Sequence, residues 1–376
     1  MKNKLLLSLL FIFSVITIYG QEIISVRLSD GETIEGRLCL PSGVKKVKAM
    51  VVFVHGTGPN TYLDKRKIGT YEFNYYDLFA NEFNKRGIAF FSYNRRGVTT
   101  GDTAPMYDRI DSLKYLKYTP LTEASDVESI IARLKGDKRL SKAKTILLGA
   151  SEGTMVGTLV ADRKIAKVDA LLLFGYVNDN LFDIIKWQLS GVPSIINIRK
   201  YFDVNEDNII SRAEYESADS ITTLVRTRLF RNASFSSMDM NSDSIIDYRD
   251  FGMKTEPFYQ YLMKMYSEGN DKWIWDNYFR VTIPWLQEHK SLEANKTRML
   301  RLQMPIYIFQ GLDDGNAPVQ GVYDIRDAFA KQGKTNLSCS FFKGHNHDLN
   351  FMDYPIKNVI SEGLQAIFTT SETFVK

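Results

Sequence analysis

Cysteine is nearly absent, with two in 376 residues, Cys39 and Cys339. That excludes a disulfide-stapled scaffold and a four-cysteine zinc site. Histidine is scarce too, at four, so any imidazole chemistry rests on His55, His289, His345 or His347. Charge of one sign is not in excess. The formal balance is +4, and Lys2 and Lys4 of that balance lie in the N-terminal segment discussed next. Nothing there calls for a nucleic-acid partner. Beyond the first twenty residues no apolar run is long enough to span a bilayer, and no tract is of low complexity. What remains is 44% hydrophobic and 24% charged, an ordinary globular composition. The length suits two structural units, or one large domain with an insertion.

Residues 1–20 begin with the basic Lys2 and Lys4, continue as an apolar run from Leu5 to Ile18, and offer Gly20 for cleavage before Gln21. This is the pattern of a secretory signal peptide, and the run is shorter than the ~20 residues a membrane span needs. The expected workplace is therefore secreted or periplasmic, with no membrane after cleavage. Cys39 and Cys339 both fall in strand-like segments and are expected as free thiols.

Hydrophobic periodicity then sets out the chain. Residues 23–40 alternate as a β-hairpin around Asp30 and Gly31. Continuous apolar runs at 48–56, 88–94, 144–151 and 168–177 read as strands buried on both faces. Helical spacing at 72–86, 121–135 and 154–161 separates them, and a polar loop follows at 95–102. The rhythm breaks over 180–300, which is helical and aromatic-rich. It resumes with strands at 305–311 and 337–344 and helices at 319–332 and 354–368. Strands alternating with helices predict an α/β fold, a mostly parallel sheet flanked by helices, with one helical insertion. The expected division is a core of 21–178 and 302–376, with a cap of 179–301.

Gly149-Ala150-Ser151-Glu152-Gly153 fits G-x-S-x-G, at the end of a buried strand and the start of a helix. The glycines permit a sharp turn that lifts a serine hydroxyl off the sheet. With these residues the chain resembles the α/β-hydrolase family, over most of 23–370 outside the insertion. The resemblance implies an order of parts: oxyanion loop, serine, acid, histidine. His55-Gly56-Thr57-Gly58-Pro59 resembles the family's HG-x-G loop. Thr57, with Glu152 after the serine, is then expected to supply the oxyanion N–H groups, and His55 to be structural. The segment from Gly311 to Pro318 resembles G-x-x-D-x-x-V-P, with Ala317 in place of valine, which favours Asp314 over Asp313 as the acid. In the segment from Lys343 to Asp348 the family's histidine lies three residues after a glycine, which favours His347 over His345. Asn94, in a segment similar to the family's D-x-R-G loop, stands where aspartate is common and is expected to serve loop structure. Glu152 reads as a helix N-terminal acid, with contact to a cationic substrate group as the alternative.

The insertion holds a second signal. Asp203, Asn205, Asp207, Ile209 (through its carbonyl), Ser211 and Glu214 fall at the ligand positions of a 12-residue EF-hand loop, and Asp239, Asn241, Asp243, Ile245, Asp247 and Asp250 do so again. The spacing leaves room for an exiting and an entering helix, so 193–262 resembles an EF-hand pair. Calcium takes six to eight hard oxygens, and two structural ions are expected. The resemblance implies that Ile210 and Ile246 pair between the loops. Two departures stand out: Asn208 and Ser244 replace the usual glycine at position 6, and Asp250 replaces glutamate at position 12. Trp273, Trp275, Tyr278, Phe279 and Trp285 are expected to build the cap core or line a pocket, and His289 to be an exposed helix residue.

The expected activity is hydrolysis of a carboxylic ester through acyl-Ser151, with the cap held by calcium and no cofactor in the chemistry. Two alternatives stand beside it. One is a serine peptidase of the prolyl-oligopeptidase or proline-iminopeptidase kind, which uses the same triad on short peptides. The other is a non-enzymatic calcium-dependent binding protein on a hydrolase scaffold.

Overall fold

The computed structural model describes residues 20–376. The expected leader lies outside them except for Gly20, which opens the first strand. Eight strands form one sheet: β1 (Gly20–Arg27), β2 (Thr33–Leu40), β3 (Ala49–Val54), β4 (Ala89–Tyr93), β5 (Lys144–Ala150), β6 (Ala170–Phe174), β7 (Ile306–Gly311) and β8 (Leu337–Phe342). Their order is β1-β2-β4-β3-β5-β6-β7-β8. The β1–β2 and β2–β4 pairs are antiparallel and the rest parallel. β3 runs its whole length buried, as a strand covered by helices on both faces must.

Period-2 alternation sends successive side chains of β3 to opposite faces. Met50, Val52 and Val54 join a core with helices α2 (Pro120–Lys135), α3 (Glu152–Arg163) and α7 (Gln320–Lys331). Ala49, Val51 and Phe53 join a second core with α1 (Tyr75–Lys85) and α8 (Glu362–Ser371). Leu78, Phe79 and Phe83 recur along α1 on the buried stripe that an amphipathic helix requires. Truncating a wholly buried phenylalanine such as Phe79 to alanine costs about 3–5 kcal/mol.

The insertion between β6 and β7 carries α4 (Val192–Phe202), α5 (Tyr248–Ser267) and α6 (Ile283–Ser291). One apolar cluster, with Ile274, Trp285 and Leu286, packs onto Tyr115, Tyr118 and Met155 of the core. Another, with Phe202, Ile210, Tyr215, Phe235, Ile246 and Phe251, lies within the insertion. Ile210 pairs with Ile246 in a two-residue antiparallel ladder.

The structure corrects three local expectations. The helix expected from 72 begins at Tyr75, because Tyr71–Asn74 pairs as a strand with Lys65–Ile68. The polar loop after β4 contains a short strand, Val98–Thr100, paired with Asp108–Ile110. The last helix is two: Asp353–Lys357 ends at Asn358, which holds φ +54°, and α8 restarts where Ser361 caps the N–H of Leu364. Cys39 and Cys339 are free thiols.

Candidate active site

Ser151 sits between β5 and α3 at φ +55°, a left-handed conformation that costs a non-glycine residue energy. The turn is closed from below. A Cβ at Gly153 would come 2.1 Å from the Val54 carbonyl oxygen, so only glycine lets α3 start this close to β3. The Ser151 N–H is held by the Phe174 carbonyl at 3.1 Å, and the side chain faces a cavity of about 480 Å³.

Asp314 follows β7 and His347 follows β8. Asp314 is fully buried. Its oxygens accept from the N–H groups of Asn316 and Ala317, both at 2.8 Å, and from Gln310 Nε2 at 2.7 Å. His347 Nδ1 lies 2.9 Å from both carboxylate oxygens. Burial pulls the imidazolium down, but the Asp314 carboxylate outweighs it and holds the His347 pKa up to about 8. Burial likewise pushes Asp314 up, and His347 and the two N–H groups bring it below its ordinary value. The imidazole stacks on bare backbone: at Gly175 a Cβ would come 2.6 Å from His347 Cε1. His347 lines the cavity that Ser151 also lines. Among the described residues no hydrogen bond joins the Ser151 hydroxyl to His347, a contact that is commonly long until substrate binds. Asp313 is turned away into an ion pair with Arg199 at 2.5 Å. His345 Nε2 accepts from the Gly363 N–H at 3.3 Å.

The loop after β3 lies across the cavity. His55 is buried, with Nδ1 2.5 Å from the Tyr76 hydroxyl and Nε2 2.8 Å from the Tyr93 carbonyl. Burial and the nearby Arg95 hold its pKa well below the ordinary value, so it is neutral. Arg95 donates to the carbonyls of Gly56 (2.9 Å) and Gly58 and to Asn60 Oδ1 (3.1 Å), fixing the loop. Asn94 Oδ1 accepts from the Tyr62 N–H at 2.9 Å, a structural contact. The N–H groups of Thr57 and Glu152 have no acceptor among the described residues, and both residues line the cavity. Unspent N–H groups beside a serine are what a developing oxyanion needs.

His289 departs from expectation, and Glu152, which does stand in the first turn of α3, loses its alternative reading. His289 is fully buried, and its Nε2 lies 2.9 Å from Glu152 Oε1. Glu152 also accepts from Trp285 Nε1 at 2.8 Å and from the Tyr118 hydroxyl at 2.6 Å. Burial raises the Glu152 pKa, but His289, Arg95 and Tyr118 outweigh it and bring it to about 2. The residue is thus an internal anion, not an acid open to a substrate cation. The neighbours Gln287, Glu288 and Lys290 made α6 look exposed, whereas its inward face is chosen by Glu152. Of the cap aromatics, Trp275, Tyr278, Phe279 and Trp285 line the cavity, while Trp273 packs on Phe258 and Tyr261.

The two acidic loops share one internal geometry. Asp203 accepts from the N–H groups of Asp207 (3.1 Å) and Asn208 (2.8 Å), and Asp239 from those of Asp243 (3.1 Å) and Ser244 (3.0 Å). Asn208 and Ser244 hold φ +65° and +69°. Glu214 accepts from the Val204 and Ser211 N–H groups, and Asp250 from those of Met240 and Asp247. Among the described residues no three His, Cys, Asp or Glu side chains converge into a ready cation cluster. The donor set is mixed instead. In the first loop Asp203, Asn205, Asp207, Ser211 and Glu214 offer side-chain oxygens with no protein cation among them, and Ile209 adds its carbonyl, a set that fits calcium. In the second loop Arg249 pairs with Asp243 and Asp247 at 2.6 and 2.7 Å, so a metal there must displace it from both carboxylates.

Comparison with known proteins agrees with this architecture. The family described as alpha/beta hydrolase fold matches residues 49–344. A thermostable carboxyl esterase from Bacillus coagulans, solved with glycerol, is 14% identical over 95% of this chain and 99% of that one, with TM-score 0.52. A puromycin hydrolase is 14% identical over 95% of this chain and 40% of its own, with TM-score 0.53. An acylaminoacyl peptidase from Pyrococcus horikoshii is 12% identical over 96% of this chain and 42% of its own, with TM-score 0.50. At such identity these likenesses speak to fold alone. No curated protein sequence matches the chain. The matched segment covers most of the chain, from β3 to the loop after β8, and the chain belongs to the alpha/beta hydrolase fold family.

Proposed function

We propose that this chain is a serine hydrolase that cleaves a carboxylic ester through an acyl-Ser151 intermediate. The observation that carries the reading is the His347–Asp314 pair at 2.9 Å, set across one cavity from a serine on a strained turn. A serine hydroxyl barely ionises at neutral pH. Its oxygen attacks the ester carbonyl carbon while His347 Nε2 takes the proton. Asp314 holds Nδ1–H in place and stabilises the imidazolium. The carbonyl oxygen becomes an oxyanion facing the Thr57 and Glu152 N–H groups, where one donor is worth about 10²–10³ in rate. Collapse expels the alcohol, which takes the proton from His347. Water then repeats the cycle on the acyl-enzyme with His347 as base.

Ester over amide is supported by Glu152. An aminopeptidase needs a carboxylate for the substrate's ammonium group, and the one beside the nucleophile is filled by three internal donors. The peptidase reading rests on Asp276 and Asp348, which also line the cavity. Short-chain esters compared with aminoacyl and dipeptidyl amides separate the two. Ser151→Ala is expected to stay folded and lose all turnover and all fluorophosphonate labelling. Wild-type activity in that variant removes the serine from the chemistry.

Calcium belongs to the proposal as structure. When bound, it supplies no chemistry and holds the insertion over the site. Asp203, Asn205, Asp207, Ile209, Ser211 and Glu214 would hold one ion, and Asp239, Asn241, Asp243, Ile245, Asp247 and Asp250 a weaker second. Extracellular modules of this kind bind at about 10⁻⁴–10⁻³ M, which suits a secreted or periplasmic protein. Among the described residues no helix is long and apolar enough to cross a membrane.

A further inference from the structure

The loops bearing Asp314 and His347 are gripped from one side by the first acidic loop of the insertion and by α4, which leads into it. Arg199, in the last turn of α4, makes the principal contact. Its Nη2 donates to Asp313 Oδ1 at 2.5 Å and to the Leu312 carbonyl at 3.3 Å. Its Nη1 donates to Asn208 Oδ1 at 2.7 Å. One guanidinium therefore joins the sixth residue of the acidic loop to the residue preceding Asp314. Alongside, Glu206 meets Lys343 Nζ at 3.1 and 3.2 Å, on the His347 loop. On α4, Asn197 lies against Gly315, where a Cβ would come 2.9 Å from its amide nitrogen. The two gripped loops are themselves joined, Leu312 N–H to the Phe342 carbonyl and Asp313 N–H to the His345 carbonyl, both at 2.9 Å.

These contacts differ in weight. The Glu206 and Lys343 side chains are 74% and 81% exposed, so water screens their attraction. Arg199 and Asp313 are 29% and 22% exposed, and the forked guanidinium fixes two partners at once, which a point charge does not. The acidic loop is also costly to hold in shape. Glu206 and Asn208 both have positive φ, +60° and +65°. Asp203 stabilises the turn by accepting from the Asn208 N–H. A divalent cation on Asp203 and Asp207 would lock that turn. Without it the loop is free to relax, and Asn208 and Arg199 with it.

We propose that Arg199 is a positioning residue that passes the state of the first acidic loop to the Asp314–His347 pair, so that calcium occupancy sets the rate of turnover. The inference rests on the hydrolase and calcium readings above and goes beyond them: calcium reaches the reacting groups through one side chain instead of only holding the cap in place.

The test uses the full mature chain as wild type, Arg199→Met and Arg199→Lys. Calorimetry measures calcium binding. Turnover of a short-chain p-nitrophenyl ester gives kcat and KM with calcium and with chelator. Proton NMR follows the low-field resonance of the His347–Asp314 hydrogen bond, which needs no substrate. In the wild type, chelation is expected to lower kcat by about five- to 150-fold, the usual range of coupling between linked sites, at unchanged KM, and to broaden the resonance. Arg199→Met should bind calcium as the wild type does, yet show the low kcat and the broad resonance with or without it. Arg199→Lys should recover part of both, since an ammonium reaches Asp313 but not both partners. Wild-type kcat, resonance and chelator response in a calcium-binding Arg199→Met variant overturn the relay. Absence of calcium heat in the wild type overturns the calcium reading and the relay with it. A wild type that binds calcium but neither turns over esters or amides nor reacts with a fluorophosphonate defeats the hydrolase reading alone, and the resonance still decides the relay.

Discussion

Replacing Asp314 with asparagine tests the electrostatics of the site at one atom. The substitution keeps the shape of a fully buried side chain and removes its charge. In the wild type that charge holds the His347 pKa at about 8 against burial, from an ordinary value of 6.5. The difference corresponds to about 2 kcal/mol favouring the imidazolium. With the charge gone, burial, the largest influence, is opposed only by the weaker pull of Asp348, and the pKa falls below 6.5. Only neutral His347 can act as base, so wild-type kcat/KM rises with pH through about 8, and the limb of the variant moves to lower pH by more than one unit. The rate drops as well. The asparagine amide now donates to Nδ1, which places the ring proton on Nε2 and denies Ser151 an acceptor, a fault worth about 10⁴ in kcat. The assay is kcat/KM for an activated ester from about pH 5 to about pH 9, where free-enzyme pKa values appear. A variant whose limb stays near pH 8 refutes the reasoning, because the titrating group is then not His347 or is not held by Asp314.

Gly175→Ala brings a methyl group to 2.6 Å from the His347 ring; kcat is expected to fall at least ten-fold, with fluorophosphonate labelling slowed in proportion. Glu152, depressed to about 2, contributes about 3 kcal/mol of stability. That contribution is present above pH 4.5 and lost as pH falls through about 2, so denaturant unfolding of Glu152→Gln should show a flatter acid limb, and an unchanged limb rejects the assignment. His347, raised to about 8, has the opposite sign: its share is complete below pH 6.5 and disappears as pH climbs through 8, a slope that His347→Gln should lack. Chelation of calcium should lower the melting temperature of the wild type and leave an Asp203→Asn/Asp239→Asn variant unchanged. Equal melting with and without calcium in the wild type sinks the structural role.

What could be read in advance followed how local each signal was. Ser151 was legible because the glycines that permit its turn and the buried strand before it lie within a few residues. Asp314 and His347 were legible by their place after β7 and β8. Asp313 was not, since its partner Arg199 lies 114 residues away in the insertion. His289 failed for the same reason: its charged neighbours describe the outward face of α6, and its burial depends on Glu152 at a separation of 137 residues. Residues 72–74 read as the start of a helix, and only the pairing of Tyr71–Asn74 with Lys65–Ile68 makes them strand. The turns of the acidic loops, and the Ile210–Ile246 ladder between them, were readable from the spacing of their acidic residues. The placing of Arg249 across Asp243 and Asp247 was not, because i+2 and i+6 neighbours on a loop have no fixed geometry.

The anion at position 152 has its solvation shell built from two parts of the molecule, Tyr118 from the core and Trp285 with His289 from the insertion. The insertion is therefore not a detachable accessory. A chimera that replaces it with a short linker, or grafts a foreign lid in its place, leaves the carboxylate next to Ser151 without two of its three side-chain donors, with Tyr118 alone still donating. Such a graft needs positions 118, 152, 285 and 289 transplanted together, or position 152 made neutral first.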